Sequence, residues 1–239
     1  MKKFVSLIIS INVHAGIKIL KTQLENIDKY VKLNYLVILN PNNEMYKVLC
    51  KNISISSNKN IIINPNYLDK KRYHGSITKG IYLNMLYIHQ NYNFDYFIIL
   101  SCRNLFYNEL NTKSYNLFSD KKDINNINEP NLKNWHWPSF IKTKLGKYII
   151  NNNQKFSNSA HEGLTFDSES ISKIIIFLEE NNKLKEDLFN WPHCVEEFAL
   201  QSICINSMKP YYDIGNGVRY YSKPDSLPKN KYIYKSQLL

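Results

Sequence analysis

Apolar and polar positions along the chain alternate between two periods. From Val5 to Ile11 nearly every residue is apolar, and the short run predicts a buried strand. Ile17, Leu20, Leu24, Ile27 and Val31 then recur at spacings of 3, 4, 3 and 4, the stripe of an amphipathic helix. Tyr35 to Leu39 predicts a second buried strand, stopped by the turn cluster Asn40-Pro41-Asn42-Asn43. Ile61 to Ile63 is a short third strand. Ser76 is placed to cap a helix running to about Asn91, with Ile77, Ile81, Met85 and Ile88 on one face, and Phe94 to Leu100 is the next strand. Continuous apolar strands separated by helices predict an α/β fold, a mainly parallel central sheet with helices on both faces.

Residues 107–158 lose this periodicity and are rich in Asn, Lys and Asp around Trp135-His136-Trp137-Pro138. A stretch of this length reads as an irregular loop or lid. Order returns with Asp167 or Ser168 as an N-cap and Ile171, Ile174, Ile175 and Leu178 as a helix face. A second helix is expected after Trp191-Pro192, with Val195, Phe198, Ser202 and Ile205 along one side. The tail, residues 209–239, carries six basic and two acidic residues. No internal repeat occurs, and residues 1–239 read as one domain.

Composition narrows the class. With 44% hydrophobic residues, 18 Tyr and 11 Phe, the chain has ample material for a core, which excludes general disorder. The net charge of +11 suits anionic partners, whether nucleic acid, a membrane surface or a phosphate-bearing small molecule. The charge is scattered and no nucleic-acid recognition module is evident, so nucleic acid is the weaker choice. Cys50, Cys102, Cys194 and Cys204 show neither Cys-x-x-Cys nor zinc spacing and read as free thiols of a reducing compartment. No apolar run is long enough to span a bilayer. Met1-Lys2-Lys3 before the first strand imitates a signal peptide but lacks a small-residue cleavage site, and a soluble, cytoplasmic protein is expected. The abundance of Asn, Lys, Ile and Tyr is that of an AT-rich genome.

The common nucleotide motifs are missing. There is no Gly-x-Gly-x-x-Gly, no Gly-x-x-x-x-Gly-Lys-Ser/Thr, no Gly-x-Ser-x-Gly and no Asp-x-Asp to hold a divalent metal against a diphosphate. In open α/β sheets ligands bind beyond the carboxyl ends of the strands. Three such ends carry polar groups, at residues 12–16, 40–43 and 101–104. A diphosphate there would be neutralised by Arg or Lys.

Five segments in order resemble the core-2/I-branching β-1,6-N-acetylglucosaminyltransferases and their xylosyltransferase relatives. Val5 to His14 is similar to a first strand ending in His, and Leu36 to Asn40 to a second strand ending in Asp. His74-Gly75-Ser76-Ile77 is similar to a Trp-Gly-x-Ser segment opening a helix. Phe94 to Asn104 is similar to a strand ending Leu-Ser-Gly-x-Asp, and Glu196 to Ile203 to a helix with Glu near its start. The resemblance covers about residues 4–110 and 160–224. It implies a GT-A-like fold and an inverting, metal-independent transfer of a sugar from a nucleotide donor, UDP-linked, to a carbohydrate acceptor, with no cofactor.

Residue by residue, the resemblance puts the catalytic base on Glu197. Such a base removes the proton of the acceptor hydroxyl as it attacks the anomeric carbon. A place in the first turn of a helix would favour its charged form. Donor contacts are expected from His14, Asn40, Arg72, Ser76, Ser101, Arg103 and Asn104. The tail has no clear match to the family's phosphate-binding segment, and Lys229, Lys231 and Lys235 are its candidates by position and charge. His161 and Glu162 stand where the family lines its acceptor pocket, and Trp137 is either a buttress or an acceptor platform. Asn40 and Asn104 replace Asp, which keeps a catalytically silent member of the fold as the alternative.

Overall fold

A computed structural model describes residues 2–14, 16–113, 126–127, 137–157, 161–207, 211–213, 215–221 and 232–236. The first half runs β1 (Lys3–Val13), α1 (Ile17–Tyr30), β2 (Tyr35–Pro41), α2 (Asn43–Lys51), α3 (Ile53–Ser56), β3 (Ile61–Ile63), α4 (Ser76–Asn91) and β4 (Tyr92–Ser101), with α2 and α3 added to the expected elements. Then come β5 (Asn104–Phe106), β6 (Asn126–Ile127), α5 (Trp137–Phe140), α6 (Lys144–Asn151), β7 (Phe156–Ser157) and β8 (Leu164–Asp167). The chain closes with α7 (Ser168–Glu180), α8 (Asn182–Asn190), α9 (Ala199–Asn206), β9 (Tyr212–Asp213), β10 (Gly215–Tyr221) and β11 (Ile233–Ser236).

The main sheet has the order β3-β2-β1-β4-β8-β9. Its first four strands are parallel, while β8 runs antiparallel to β4 and β9 antiparallel to β8. Both faces are buried. Ile8, Ile38, Phe97 and Ile99 pack against α4 and α6 to α9, and Leu7, Ile9, Leu39 and Leu100 against α1 to α3. This two-sided burial is why the strands read as unbroken apolar runs. A second sheet, β10-β11-β5, brings β11 back to the segment that follows β4, with Lys235 paired to Asn104.

Four local expectations are corrected. The Asn40 to Asn43 cluster is not only a turn: Asn42 caps α2, its Oδ1 accepting from the Met45 N–H at 2.8 Å. Ser76 does not cap α4. Its hydroxyl accepts from the Lys71 N–H at 2.9 Å, and the His74 imidazole accepts from the Ser76 N–H at 3.0 Å. Within residues 107–158, residues 137–157 are ordered; the Thr143 hydroxyl caps α6 by accepting from the Gly146 N–H at 2.9 Å. The last predicted helix begins at Ala199, because Phe198 has a φ of −129° and acts as its N-cap. Glu197 therefore lies in the turn before the helix. Among the described residues no helix is long and apolar enough to cross a membrane.

A buried amide network joins α4 to the sheet. Asn84, fully buried, donates to the Ser10 hydroxyl at 3.0 Å and accepts from Asn64 at 2.7 Å. Gly75 is required where α4 starts: a Cβ there would lie 2.1 Å from the Leu188 carbonyl oxygen.

Candidate functional site

Strand order reverses between β1 and β4: β2 and β3 extend the sheet to one side of β1, and β4 is laid on the other. The crevice beyond the carboxyl ends of these two strands is the expected ligand position. Its floor is built from hydrogen bonds the apolar pattern does not reveal. Gln23 of α1, fully buried, donates to the carbonyl oxygens of Ser101 at 2.7 Å and Asn104 at 2.9 Å. One turn on, Asn26 donates to the Phe106 carbonyl and accepts its N–H. Asn104 Oδ1 accepts from the Ser101 N–H at 2.6 Å, closing the turn internally. Asn12 donates to the Ile77 carbonyl at 3.0 Å, and Gly80 gives it room, since a Cβ there would lie 2.5 Å from Asn12 Oδ1.

Basic side chains gather on one side of this floor. His14 follows β1, its Nε2 lying 3.1 Å from the Cys102 thiol. Its pKa is lowered, first by desolvation of the ring and then by the charges of Lys70, Arg103 and Lys235, while a hydrogen bond at the Asn12 backbone opposes them. His14 itself is exposed. Lys70 donates to the carbonyl oxygens of Asn40, Pro41 and Leu68 and to Asn40 Oδ1, all within 3.0 Å. Burial pulls its pKa down to about 7, whereas these four oxygens favour the protonated ammonium.

Carboxylates gather on the other side. The turn at residues 161–163 enters β8 at the level where β4 ends. Gly163 has a φ of 91°, in the left-handed region that glycine tolerates, and its N–H donates to the Ile99 carbonyl at 2.8 Å. Glu162 accepts from Lys235 Nζ at 2.7 Å, and His161 Nδ1 lies 3.6 Å from Glu162 Oε2 and 4.0 Å from Glu196 Oε1. Despite burial, the charges of His161 and Lys235 hold the Glu162 pKa below its ordinary value. Glu197 behaves oppositely. Burial lifts its pKa to about 7, with Glu196 and Glu162 adding to the rise and His161 and Lys235 opposing it. The expected helix-start stabilisation of its charge is thus outweighed. A carboxylate with a pKa near 7 is suited to taking a proton at neutral pH.

The structure brings together His14, Ser101, Arg103, Asn104, His161, Glu162, Glu197 and Lys235 at the end of the sheet where β1 and β4 finish. Asn40, fully buried and bound to Lys70, lies beneath the crevice instead of lining it. Ser76 is buried and spent on Lys71. Arg72 is exposed, with its guanidinium over the Tyr73 ring and bonded to the Tyr73 hydroxyl. The backbone of Trp137 opens α5, but its side chain lies outside the described residues, as do Lys229 and Lys231 altogether. Sequence reasoning missed Lys70 and Gln23. The partners of both are carbonyl oxygens, which leave no mark on residue type. A cavity of about 130 Å³ lined by Leu145, Tyr148, Phe177 and Ile203 shares no residue with the crevice. Among the described residues, no group of three or more His, Cys, Asp or Glu is arranged to hold a metal ion.

Comparison with protein-family models gives no match, and no curated protein matches the chain.

Proposed function

We propose that this protein is a glycosyltransferase that moves a sugar from a UDP-linked donor to a carbohydrate hydroxyl, with inversion and without a metal. The observation that carries the reading is the meeting of two chemistries at the carboxyl ends of β1 and β4. Arg103 and Lys235, far apart in the chain, make a cationic side around the His14 imidazole, and Lys235 also acts on a carboxylate, Glu197, whose pKa is lifted to about 7. The first suits the diphosphate that departs and the second the hydroxyl that attacks. Glu197 takes the hydroxyl proton, the oxygen bonds to the anomeric carbon, and the bond from that carbon to the diphosphate breaks. The leaving group's charge is met by Arg103 and Lys235. The mainly parallel α/β sheet agrees with the GT-A-like fold the sequence suggests.

The alternative, a silent member that only binds, arose from Asn40 and Asn104. Both side chains serve the fold, Asn40 by holding Lys70 and Asn104 by closing the turn to Ser101, which supports a base elsewhere. A thermal-shift panel of nucleotides and nucleotide sugars, with and without EDTA, tests the reading. A donor at 100 times its Kd adds ~2.7 kcal/mol, which is about 5–11 °C in a chain of this size. One selective, EDTA-insensitive shift with transfer to an acceptor panel is the expected result. A shift abolished by EDTA would refute metal independence. Binding without transfer or hydrolysis would favour the silent reading, and no shift with steeply salt-dependent RNA or DNA binding would overturn the proposal.

A further inference from the structure

Beneath the crevice four oxygens converge on one nitrogen. The β3 ladder stops at the pair Leu39–Ile63, and the Asn64 N–H closes it by donating to the Leu39 carbonyl at 2.8 Å. Asn40 and Pro41 lie beyond that point, and the chain returns to them through residues 65–70, a segment without helix or strand. Lys70 Nζ then lies 2.8 Å from the Asn40 carbonyl oxygen and 2.9 Å from Asn40 Oδ1. The carbonyl oxygens of Pro41 and Leu68 complete the set, each at 3.0 Å. The other end of the Asn40 amide fixes its sense, since Nδ2 faces the Asn66 carbonyl at 3.4 Å.

This cage suits a cation. All four oxygens are neutral acceptors, and an ammonium has three N–H groups to give them. A neutral amine would offer two protons and set its lone pair against the remaining oxygens, so the geometry selects the charged form. Neutral carbonyl oxygens gathered in this way can replace the hydration shell of a monovalent ion. The adjacent acid, Asp69, is turned elsewhere: its carboxylate accepts from the Asn43 N–H at 2.7 Å and from the Asn43 side chain. The aliphatic stem has its own place. A Cβ on Gly80 of α4 would lie 3.0 Å from Lys70 Cδ and 2.5 Å from Asn12 Oδ1, so the glycine leaves room for the stem beside the crevice floor.

We propose that Asn40, Pro41 and Leu68 form a monovalent-cation site, of a size for ammonium or potassium, which the chain fills with its own Lys70. The tethered ammonium takes the place of a diffusible ion, so the wild type needs none. Shortening the side chain frees the site to bind one. This goes beyond the transferase reading and does not depend on it.

Two variants and one measurement on the wild type test it. Lys70→Ala removes the ammonium and opens the cage, whereas Lys70→Met keeps the path of the stem filled without a charge. Thermal unfolding is followed at pH 7.5 and constant ionic strength in the chlorides of lithium, potassium, ethylammonium and tetramethylammonium. Lys70→Ala should be destabilised in lithium and tetramethylammonium. Its Tm should rise saturably in potassium and in ethylammonium, by about 3–6 °C at ten times the Kd of the ion. Wild type and Lys70→Met should show no such selectivity. A Lys70→Ala Tm that is the same in all four salts, or a potassium gain shared by Lys70→Met, overturns the proposal. If circular dichroism shows Lys70→Ala unfolded in every salt, the wild type decides. Nitrogen-15 NMR of its lysine side chains at pH 6 should show an ammonium in slow exchange with water that persists in Lys235→Met, and without that resonance the proposal fails.

Discussion

Replacing Glu197 by Gln should make the protein more stable and inactive at once, and the size of the first effect follows from the second. The carboxyl has an ordinary value of 4.5 and titrates at about 7 in the fold. Between those values the folded chain holds a proton that the unfolded chain has released. Stability contributed by this group therefore falls as pH rises from 4.5 to 7, and the loss is complete above 7. At 1.36 kcal/mol per tenfold change in acidity, the loss is about 3 kcal/mol. Partial solvent access screens it, and half that figure, ~1.5 kcal/mol, moves the Tm by about 3–6 °C in a chain of this size. Glutamine has the shape and none of the charge. The stability gain of Glu197→Gln should thus be near zero at pH 4.5 and grow to its full value by pH 8. Urea or thermal unfolding of both proteins at half-unit pH steps measures it. Transfer should fall by at least ~10²-fold with nucleotide binding retained. A gain that does not vary with pH would refute the assigned burial and charge of Glu197. A variant keeping more than about a tenth of wild-type kcat would reject it as the base.

Three further outcomes are expected. Gly75→Ala forces a Cβ to 2.1 Å from the Leu188 carbonyl, where backbone must move, and should cost more than ~2 kcal/mol in chemical denaturation. Lys235→Met leaves the buried Glu162 without its 2.7 Å partner and should cost about 3–5 kcal/mol at pH 7.5. Because the Glu162 pKa is lowered, the wild type keeps this ion pair through pH 4.5, and the cost should vanish only at the still lower pH that protonates Glu162 in both proteins. Gln23→Leu unties the Ser101 and Asn104 carbonyls and should raise the KM for the donor more than it lowers kcat, which steady-state kinetics would resolve.

The parts of the fold legible in the sequence are those written as apolar repetition. Phe94 to Leu100 and Tyr35 to Leu39 were plain because parallel strands buried on both faces carry no polar alternation. The Asp167 cap was legible as well, its carboxylate accepting from the Ser170 N–H at 2.6 Å. What resisted were polar residues turned inward. Asn84 reads as an ordinary helix residue, and only the tertiary fold sets it against Ser10 and Asn64. Asn42 was grouped with its turn neighbours because the helix it caps is short and only weakly apolar along its length. Of the candidate site, His14, Arg103, His161, Glu162 and Glu197 could be named in advance, since charge and type persist in sequence. Their mutual arrangement could not, because Lys235 and Glu162 are 73 positions apart.

Lys235 also stands on a strand that docks against β5 from more than 120 residues earlier. Synthesis runs from the amino terminus, so the main sheet through β8 can assemble while this strand is still within the ribosome. Until it emerges, Glu162 has no ammonium beside it and the pocket holds a surplus of negative charge. A chain ended before residue 232 would lack the ammonium from which the buried Glu162 accepts.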